Sequence, residues 1–267
     1  MKIMEWKEMK KKIKKRIRNI CIQQRKYEEK IARSRESLLY TPYKLLAEEL
    51  ENTFLKSNDF KDTLEKIIEN TFKPSLQKVL IKLSKLNVDE FLSYFTETFK
   101  RTLNLQDIQG IKSKLLNRTL KKYTAKTVVD ITETTKNILN VKITAYTQQG
   151  MSFNEMVKRI VEDTKGEIGK NRAKVIARTE TAKAIGETNF QTATKAKLKN
   201  KAWVHAGGGK KDRKSHMELD GVTIGINESF SVGAEGSTPP TQMRFPKDPQ
   251  CTVAGHIIGC LCQIYYF

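Results

Sequence analysis

The sequence is poor in several things, and each shortage excludes something. No segment approaches the run of roughly 18 apolar residues that a membrane-spanning helix needs, so no membrane partner is expected. The opening stretch, MKIMEWKEMKKKIKKRIRNICIQQRKYEEK, has no apolar core behind its charges and is not expected to act as a secretory signal. Four cysteines in 267 residues are too few for a disulfide scaffold. In the reducing cytoplasm expected for this chain they read as thiols or metal ligands. Acidic residues are outnumbered, 30 against 50 lysines and arginines, which leaves a formal net charge of +20. A chain so basic repels itself and attracts polyphosphate or acidic surfaces, so nucleic acid or an acidic protein face is the expected partner. Histidines number three, and all of them, His205, His216 and His256, fall in the last quarter with Cys251, Cys260 and Cys262.

What is present is mostly helical periodicity. Ile3, Trp6, Met9, Ile13, Ile17 and Ile20 recur every three or four positions among lysines and arginines, which predicts a basic amphipathic helix over about residues 1–40. Lys11, Lys12, Lys14, Lys15, Arg16 and Arg18 are its candidate contacts with nucleic acid or a partner; equally, the apolar stripe could pack on its own domain. A helical region over 41–149 follows. Tyr43, Leu46, Leu50 and Phe54 share one stripe, as do Leu64, Ile67, Ile68 and Phe72, and Pro74 opens the segment carrying Leu76, Val79, Leu80 and Leu83. Phe91, Phe95 and Phe99 read as ordinary core. The threonine-rich stretch from Ile111 to Tyr146 has few large apolar residues and is expected to pack against other helices. Gly150 closes it, and Ser152 with Glu155 matches a capping box before the buried face of Met156, Val157, Ile160 and Val161. Residues 150–200, rich in alanine, read as a helix pair.

After Lys199 glycine and proline become frequent, and a small mixed module is expected over 201–267. AWVHA, GVTIGI and CLCQIYYF read as short strands, and DRKSHMEL as one or two helical turns ended by an Asp220-Gly221 turn. The run Gly207, Gly208, Gly209 lacks the Gly-Lys-Ser/Thr ending of a phosphate-binding P-loop. The fold class is therefore α+β, a long helical region followed by a small module with short strands.

Six pieces in order resemble the phage Mu protein F-like head-morphogenesis family, the minor head proteins of tailed bacteriophages. They run from about Gly150 to Cys262: Gly150, Ser152 and Glu155 at a helix start; RAKVIARTETAKA with Arg178 and Glu180; Trp203 on a strand; RKSHMELDG with Arg213, His216, Asp220 and Gly221; Phe230 and then FPKDP with Pro246, Asp248 and Pro249; and a closing Cys-x-Cys at Cys260 and Cys262. The chain departs from that pattern in having Leu261 where an arginine is usual and GGGKK ahead of the histidine; Cys251 and His256 are not features the family requires. The resemblance implies a virion component bound near the portal vertex inside the head, made in the host cytoplasm. It implies the portal protein, a scaffold or major capsid protein, and double-stranded DNA held without sequence preference as partners. It implies no established reaction. A stand-alone basic DNA-binding protein with a zinc-stabilised C-terminal module is the alternative.

Two cysteines at i and i+2 of a strand point to one face, so Cys260 and Cys262 could reach one ion. His216 and either Cys251 or His256 could complete a structural zinc site, stapling a module with little core. Alternatively, the two cysteines are buried reduced thiols and His216 hydrogen-bonds to Asp220 or to a backbone carbonyl. Cys21 reads as an ordinary helix residue. Cys260 or Cys262 with His216 and Asp220 could also form a nucleophile, base and orienter, with Glu180 or Glu187 as general acid. Nothing in the sequence supplies an oxyanion hole or specificity pocket, so no enzyme is expected.

Overall fold

The computed structural model describes residues 11–54, 60–98, 104–118, 124–205, 207 and 212–267. Ile3, Trp6, Met9, Phe99 and most of the glycine run at 207–209 lie outside these residues, and the side chains of Lys11, Lys12, Ile13 and Phe95 are likewise outside the description. The basic periodicity resolves into one long helix, α1 (Lys11–Phe54). Pro42 removes one N–H from its ladder without ending it, because Leu39, Tyr43 and Leu46 are fully buried on either side and hold the turn.

Helix α2 (Phe60–Ile67) runs through a π turn at Ile68–Phe72 into α3 (Lys73–Thr98). The wide turn falls just before Pro74, whose ring cannot donate to the preceding turn. Pro74 therefore marks a change of pitch in a continuing helix. Helices α4 (Leu105–Arg118) and α5 (Thr124–Gln148) account for the threonine-rich stretch. Thr134, Thr135, Thr144 and Thr147 each donate a hydroxyl hydrogen bond to the carbonyl four residues back, which lets threonine occupy a helix without an unsatisfied oxygen.

Gly150 ends α5 at φ 71°, with its N–H bonded to Thr147 O and that of Met151 to Tyr146 O, a Schellman closure. The expected capping box opens α6 (Phe153–Asp163): the Glu155 N–H donates to Ser152 Oγ and the Ser152 N–H to Glu155 Oε2. A π turn at Thr164–Ile168, kinked at Gly166, leads into α7 (Gly169–Lys195), so the alanine-rich stretch forms one long helix after α6. Gly169 is required there. A Cβ at this position would sit 2.5 Å from Thr164 O and 3.0 Å from Tyr40 and Tyr43.

The C-terminal part holds β1 (Asn200–Val204), α8 (Lys214–Met217), β2 (Thr223–Gly225), β3 (Phe230–Val232), β4 (Thr241–Met243), α9 (Ala254–Ile257) and β5 (Gln263–Tyr266). β1 is the centre of an antiparallel sheet ordered β2-β1-β5, and β3 pairs with β4 in a separate two-stranded sheet. The β3–β4 pair and α9 have no counterpart in the sequence reading. Their segments are too short to carry a period.

The chain divides into two units, each drawn from separated stretches. One contains residues 1–32, 86–116 and 178–267; the other contains 33–85 and 117–177. The second has a continuous apolar core from Leu39, Tyr43, Leu46 and Leu50 through Phe72 and Leu80 to Val157, Ile160 and Ala177. In the first, the core is split into smaller clusters. Trp203, Phe230, Phe245 and Ile264 form one, Ile31, Phe91 and Ile185 a second, and Ile17 and Cys21 pack on Val204 and Tyr265 as a third. Of the predicted stripe, Ile17 thus packs on its own unit. Ile20, expected on that stripe, is instead exposed, because Cys21 and not its neighbour faces Val204. Burial pushes the Cys21 thiol up to about 12, so it stays an inert neutral side chain.

Candidate functional site

Strand pairing assembles the site. The β1–β5 ladder puts Val204 opposite Gln263, so the next residue beyond each end, His205 and Cys262, are brought side by side. His205 leaves the ladder because its N–H donates to Asp220 Oδ1 (2.9 Å) instead of to a strand. Cys260 and Cys262 were expected on the strand itself; they lie just before it, in the segment entering β5, since β1 offers no partner past Val204. Their sulfurs nevertheless converge. His216, on the single turn of α8, places Nδ1 3.4 Å from Cys260 Sγ and 3.7 Å from Cys262 Sγ, and His205 Nδ1 is 3.5 Å from Cys262 Sγ. His216, Cys260 and Cys262 are all buried and form the one group of three potential metal ligands among the described residues.

The histidine tautomers follow from their outer contacts. His256 Nε2 lies 2.9 Å from the Pro239 carbonyl oxygen, which can only accept, so the neutral ring carries its proton on Nε2. Its Nδ1 then accepts from His216 Nε2–H across 3.2 Å. This leaves the Nδ1 lone pair of His216 facing the sulfurs. His205 repeats the arrangement with a carboxylate: Nε2 lies 3.5 Å from Asp212 Oδ2 and Nδ1 faces Cys262. The neighbouring Cys262 thiol holds the Cys260 thiol below its usual range, and the same contact together with burial pushes the Cys262 thiol up, so the two titrate as a pair.

α8 is held at its N-terminal end. Ser215 N–H donates to Glu235 Oε2 (2.8 Å), and Arg213 donates to the Ile258 carbonyl (2.6 Å) at the end of α9. Trp203 packs edge-on against His216, with ring centroids 5.4 Å apart, and against Phe230. Gly221, at φ 83°, bonds through its N–H to Trp203 O and closes the Asp220-Gly221 turn.

Other predicted residues fall elsewhere. Cys251 is buried, but its sulfur is 3.7 Å from Thr241 Oγ1 and from Val253 O, outside the cluster. The Pro249 turn carries it away. Asp220 does not meet His216; its oxygens take the His205 N–H and the Arg18 guanidinium (2.6 Å), which removes the orienter of the catalytic arrangement. Glu180 pairs with Lys183, and Arg178 lies 3.7 Å from Glu29. Glu187 accepts from Arg244 (2.7 Å), which is also bidentate to the buried Asp248 (2.6 and 2.9 Å). Asp248 further accepts the N–H of Arg244 and of Gln250, so it folds the segment around Pro246 into place. Gly186 on α7 is needed at this contact, because a Cβ would come within 2.9 Å of the Phe245 ring.

Two buried lysines escaped the sequence reading. Lys247 pairs with Glu28 (2.9 Å), which also accepts from Gln263. Lys201, fully buried in β1, donates to Ile226 O and Glu228 O; burial, aided by Arg244, lowers it to about 8. A lysine inside a strand carries no sequence signal of this kind.

Part of the chain is similar to known proteins. Residues 136–265 match the family model described as Phage Mu protein F like protein. The chain carries a phage Mu protein F-like domain. The match begins inside α5 and ends in β5, so the Mu F-like domain includes the capping box, α7 and the whole His/Cys cluster. One curated relative is the uncharacterized protein YqbB of Bacillus subtilis, 25% identical over 218 residues. The alignment covers 80% of this chain and 63% of that protein, so the chain spans less than two thirds of its relative. No solved structure matches it significantly. The domain is one of phage head-morphogenesis proteins, and no described helix is long and apolar enough to cross a membrane.

Proposed function

We propose that this protein is a minor head protein of a tailed phage or prophage, seated at the portal inside the head, where it aids head assembly, DNA packaging or DNA exit. The observation that carries this reading is the Mu F-like match over residues 136–265. The net charge of +20 supports it physically, since a protein beside packed DNA gains by neutralising phosphates. Lys15, Lys26 and Lys30 are exposed on one face of α1, while the opposite stripe is buried. This face would meet DNA through charge alone, without reading sequence. The portal and a scaffold or major capsid protein are the expected protein partners. No catalytic role is proposed, because Asp220, the orienter of that arrangement, is bonded to Arg18 and the His205 N–H instead of to His216.

Mass spectrometry of purified virions tests the reading. The protein should be present in few copies, and it should be recovered with the portal from disrupted heads. Its absence from particles would overturn the assignment. The charge also supports a second reading, a stand-alone DNA-binding protein. That protein would bind duplex DNA with the same steep salt dependence but would stay out of capsids.

A further inference from the structure

We infer that His205, His216, Cys260 and Cys262 form a closed, structural zinc site, with His205 as the fourth ligand. Tetrahedral zinc with Zn–S near 2.3 Å and Zn–N near 2.05 Å separates a ligating nitrogen and sulfur by about 3.6 Å. The three nitrogen–sulfur separations in the cluster are 3.4, 3.5 and 3.7 Å. His216, Cys260 and Cys262 already form one close group, and His205 reaches it through Cys262, so its ring has to move toward Cys260 and His216 to complete the tetrahedron.

The surroundings match as well as the distances. Each histidine has its other ring nitrogen committed, His216 through His256 to the Pro239 carbonyl and His205 to Asp212, which fixes Nδ1 as the free lone pair. Outer partners of this kind orient metal-ligating imidazoles and raise their basicity. The Trp203 indole N–H is buried without a hydrogen-bond partner, and it lies beside Cys262. A thiolate there supplies an acceptor. Binding releases both thiol protons, so one Zn²⁺, two thiolates and two neutral imidazoles sum to zero charge, which suits the apolar wall of Trp203, Phe230 and Ile264. Four protein ligands leave no open position for substrate water, so the site is structural.

The site also accounts for an economy of the fold. His205 follows β1, His216 sits on α8, and the cysteines enter β5, so one ion ties together three elements that share only short ladders. Small modules with limited cores commonly depend on such a staple.

The experiment uses the full-length chain, purified under reducing conditions without chelator. Elemental analysis should give one zinc per chain, and Co²⁺ exchange should give the visible absorption of a tetrahedral site with sulfur-to-cobalt charge transfer. Cys260→Ser and Cys262→Ser should abolish it. His205→Ala should alter the cobalt spectrum and lower zinc affinity, whereas Cys251→Ala should do neither. Asp212→Asn and His256→Asn should keep the stoichiometry at saturating zinc but weaken affinity by roughly 10- to 100-fold, as outer partners do. Because ligand variants can fail to fold, the wild-type protein is also treated with chelator. Thermal stability should fall and the reactivity of Cys260 and Cys262 toward a thiol reagent should rise, both reversed by zinc alone. Folded protein without zinc that takes up no cobalt would overturn the site, leaving a hydrogen-bonded cluster. A cobalt spectrum unchanged by His205→Ala but lost in Cys251→Ala would overturn the assignment of the fourth ligand. Neither result bears on whether the protein is found in virions.

Discussion

The two units are stabilised by different means. The unit of residues 33–85 and 117–177 has one apolar core in which Leu46, Leu50, Phe72 and Ile160 are completely buried, and ion pairs such as Lys165–Glu51 are exposed, with Asp163 as a buried exception. The unit that ends the chain has smaller apolar clusters and encloses charges instead: Arg244 with Glu187 and Asp248, Lys247 with Glu28, Lys201 on two carbonyls, and the His/Cys cluster. Burying a charge costs several kcal/mol, which its partner offsets only when the geometry is good. The helical unit should therefore tolerate changes in its surface charges, and the C-terminal unit should not tolerate the loss of one partner from a buried pair.

The strongest way to break this contrast is Arg244→Met. It removes the guanidinium that the buried carboxylates of Glu187 and Asp248 share, and unfolding in denaturant should show a loss of about 3–5 kcal/mol. A loss no larger than that of an exposed pair would remove the distinction between the units. Replacing all three residues by apolar ones of similar size should recover much of the stability.

Next come core truncations of the helical unit. Leu50→Ala or Ile160→Ala should cost about 2–5 kcal/mol, with the cost set by how far each cavity collapses. Thiol reactivity of Cys260 and Cys262 in the native protein should not change, since those residues belong to the other unit.

The response to pH should separate the units by the range in which stability rises with pH, acidic for the helical unit and alkaline for the C-terminal one. In the helical unit, burial raises the Asp163 carboxyl, but the Tyr146 hydroxyl and Lys142 outweigh it and hold the group below its ordinary 3.8. A lowered carboxyl contributes stability above the unfolded value that is lost as pH falls through the folded one, so Asp163→Asn should blunt the acid limb of the stability curve. In the C-terminal unit, Lys201 is lowered from 10.5 to about 8. Between those values the unfolded chain binds more protons than the folded one, so this residue makes stability rise with pH from about 8 to 10.5. Lys201→Met should remove that rise in chemical denaturation followed across this range.

Smaller effects sharpen the comparison. Ser152→Ala removes a cap and should lower stability by about 1 kcal/mol, read by denaturant unfolding. The smallest effect on stability belongs to Lys15→Gln, Lys26→Gln and Lys30→Gln combined, within about 0.5 kcal/mol. Binding to duplex DNA should nonetheless weaken, and the slope of log affinity against log salt should fall by about 3 in magnitude, near 0.9 for each phosphate no longer neutralised by a lysine. An unchanged slope would place the DNA-binding face elsewhere.

Much of this was legible in the residues. The stripe of Tyr43, Leu46, Leu50 and Phe54 is fully buried as its spacing predicts, and Gly150, Ser152 and Glu155 make the turn and cap that their types dictate. These are local signals, read within one or two helical turns. His216, Cys260 and Cys262 were legible as a cluster, whereas Cys251 lies apart from it and the neighbour of Cys262 is His205, which the spacing did not single out. Its neighbour in space is decided by the register that sets Val204 against Gln263, and register is a property of two strands about 60 residues apart. The Arg244, Glu187 and Asp248 network was invisible for the same reason, since α7 and the FPKDP segment meet only after folding.

The sequence alone therefore determined the helices, their caps, the basic character of α1, the family pattern and the type of chemistry at the C-terminus. Each of these depends on residue type and short spacing. Only the tertiary structure decided which part of α1 is covered, which charges are enclosed, and that His205 lies against Cys262, because burial and strand register are set by contacts between distant parts of the chain.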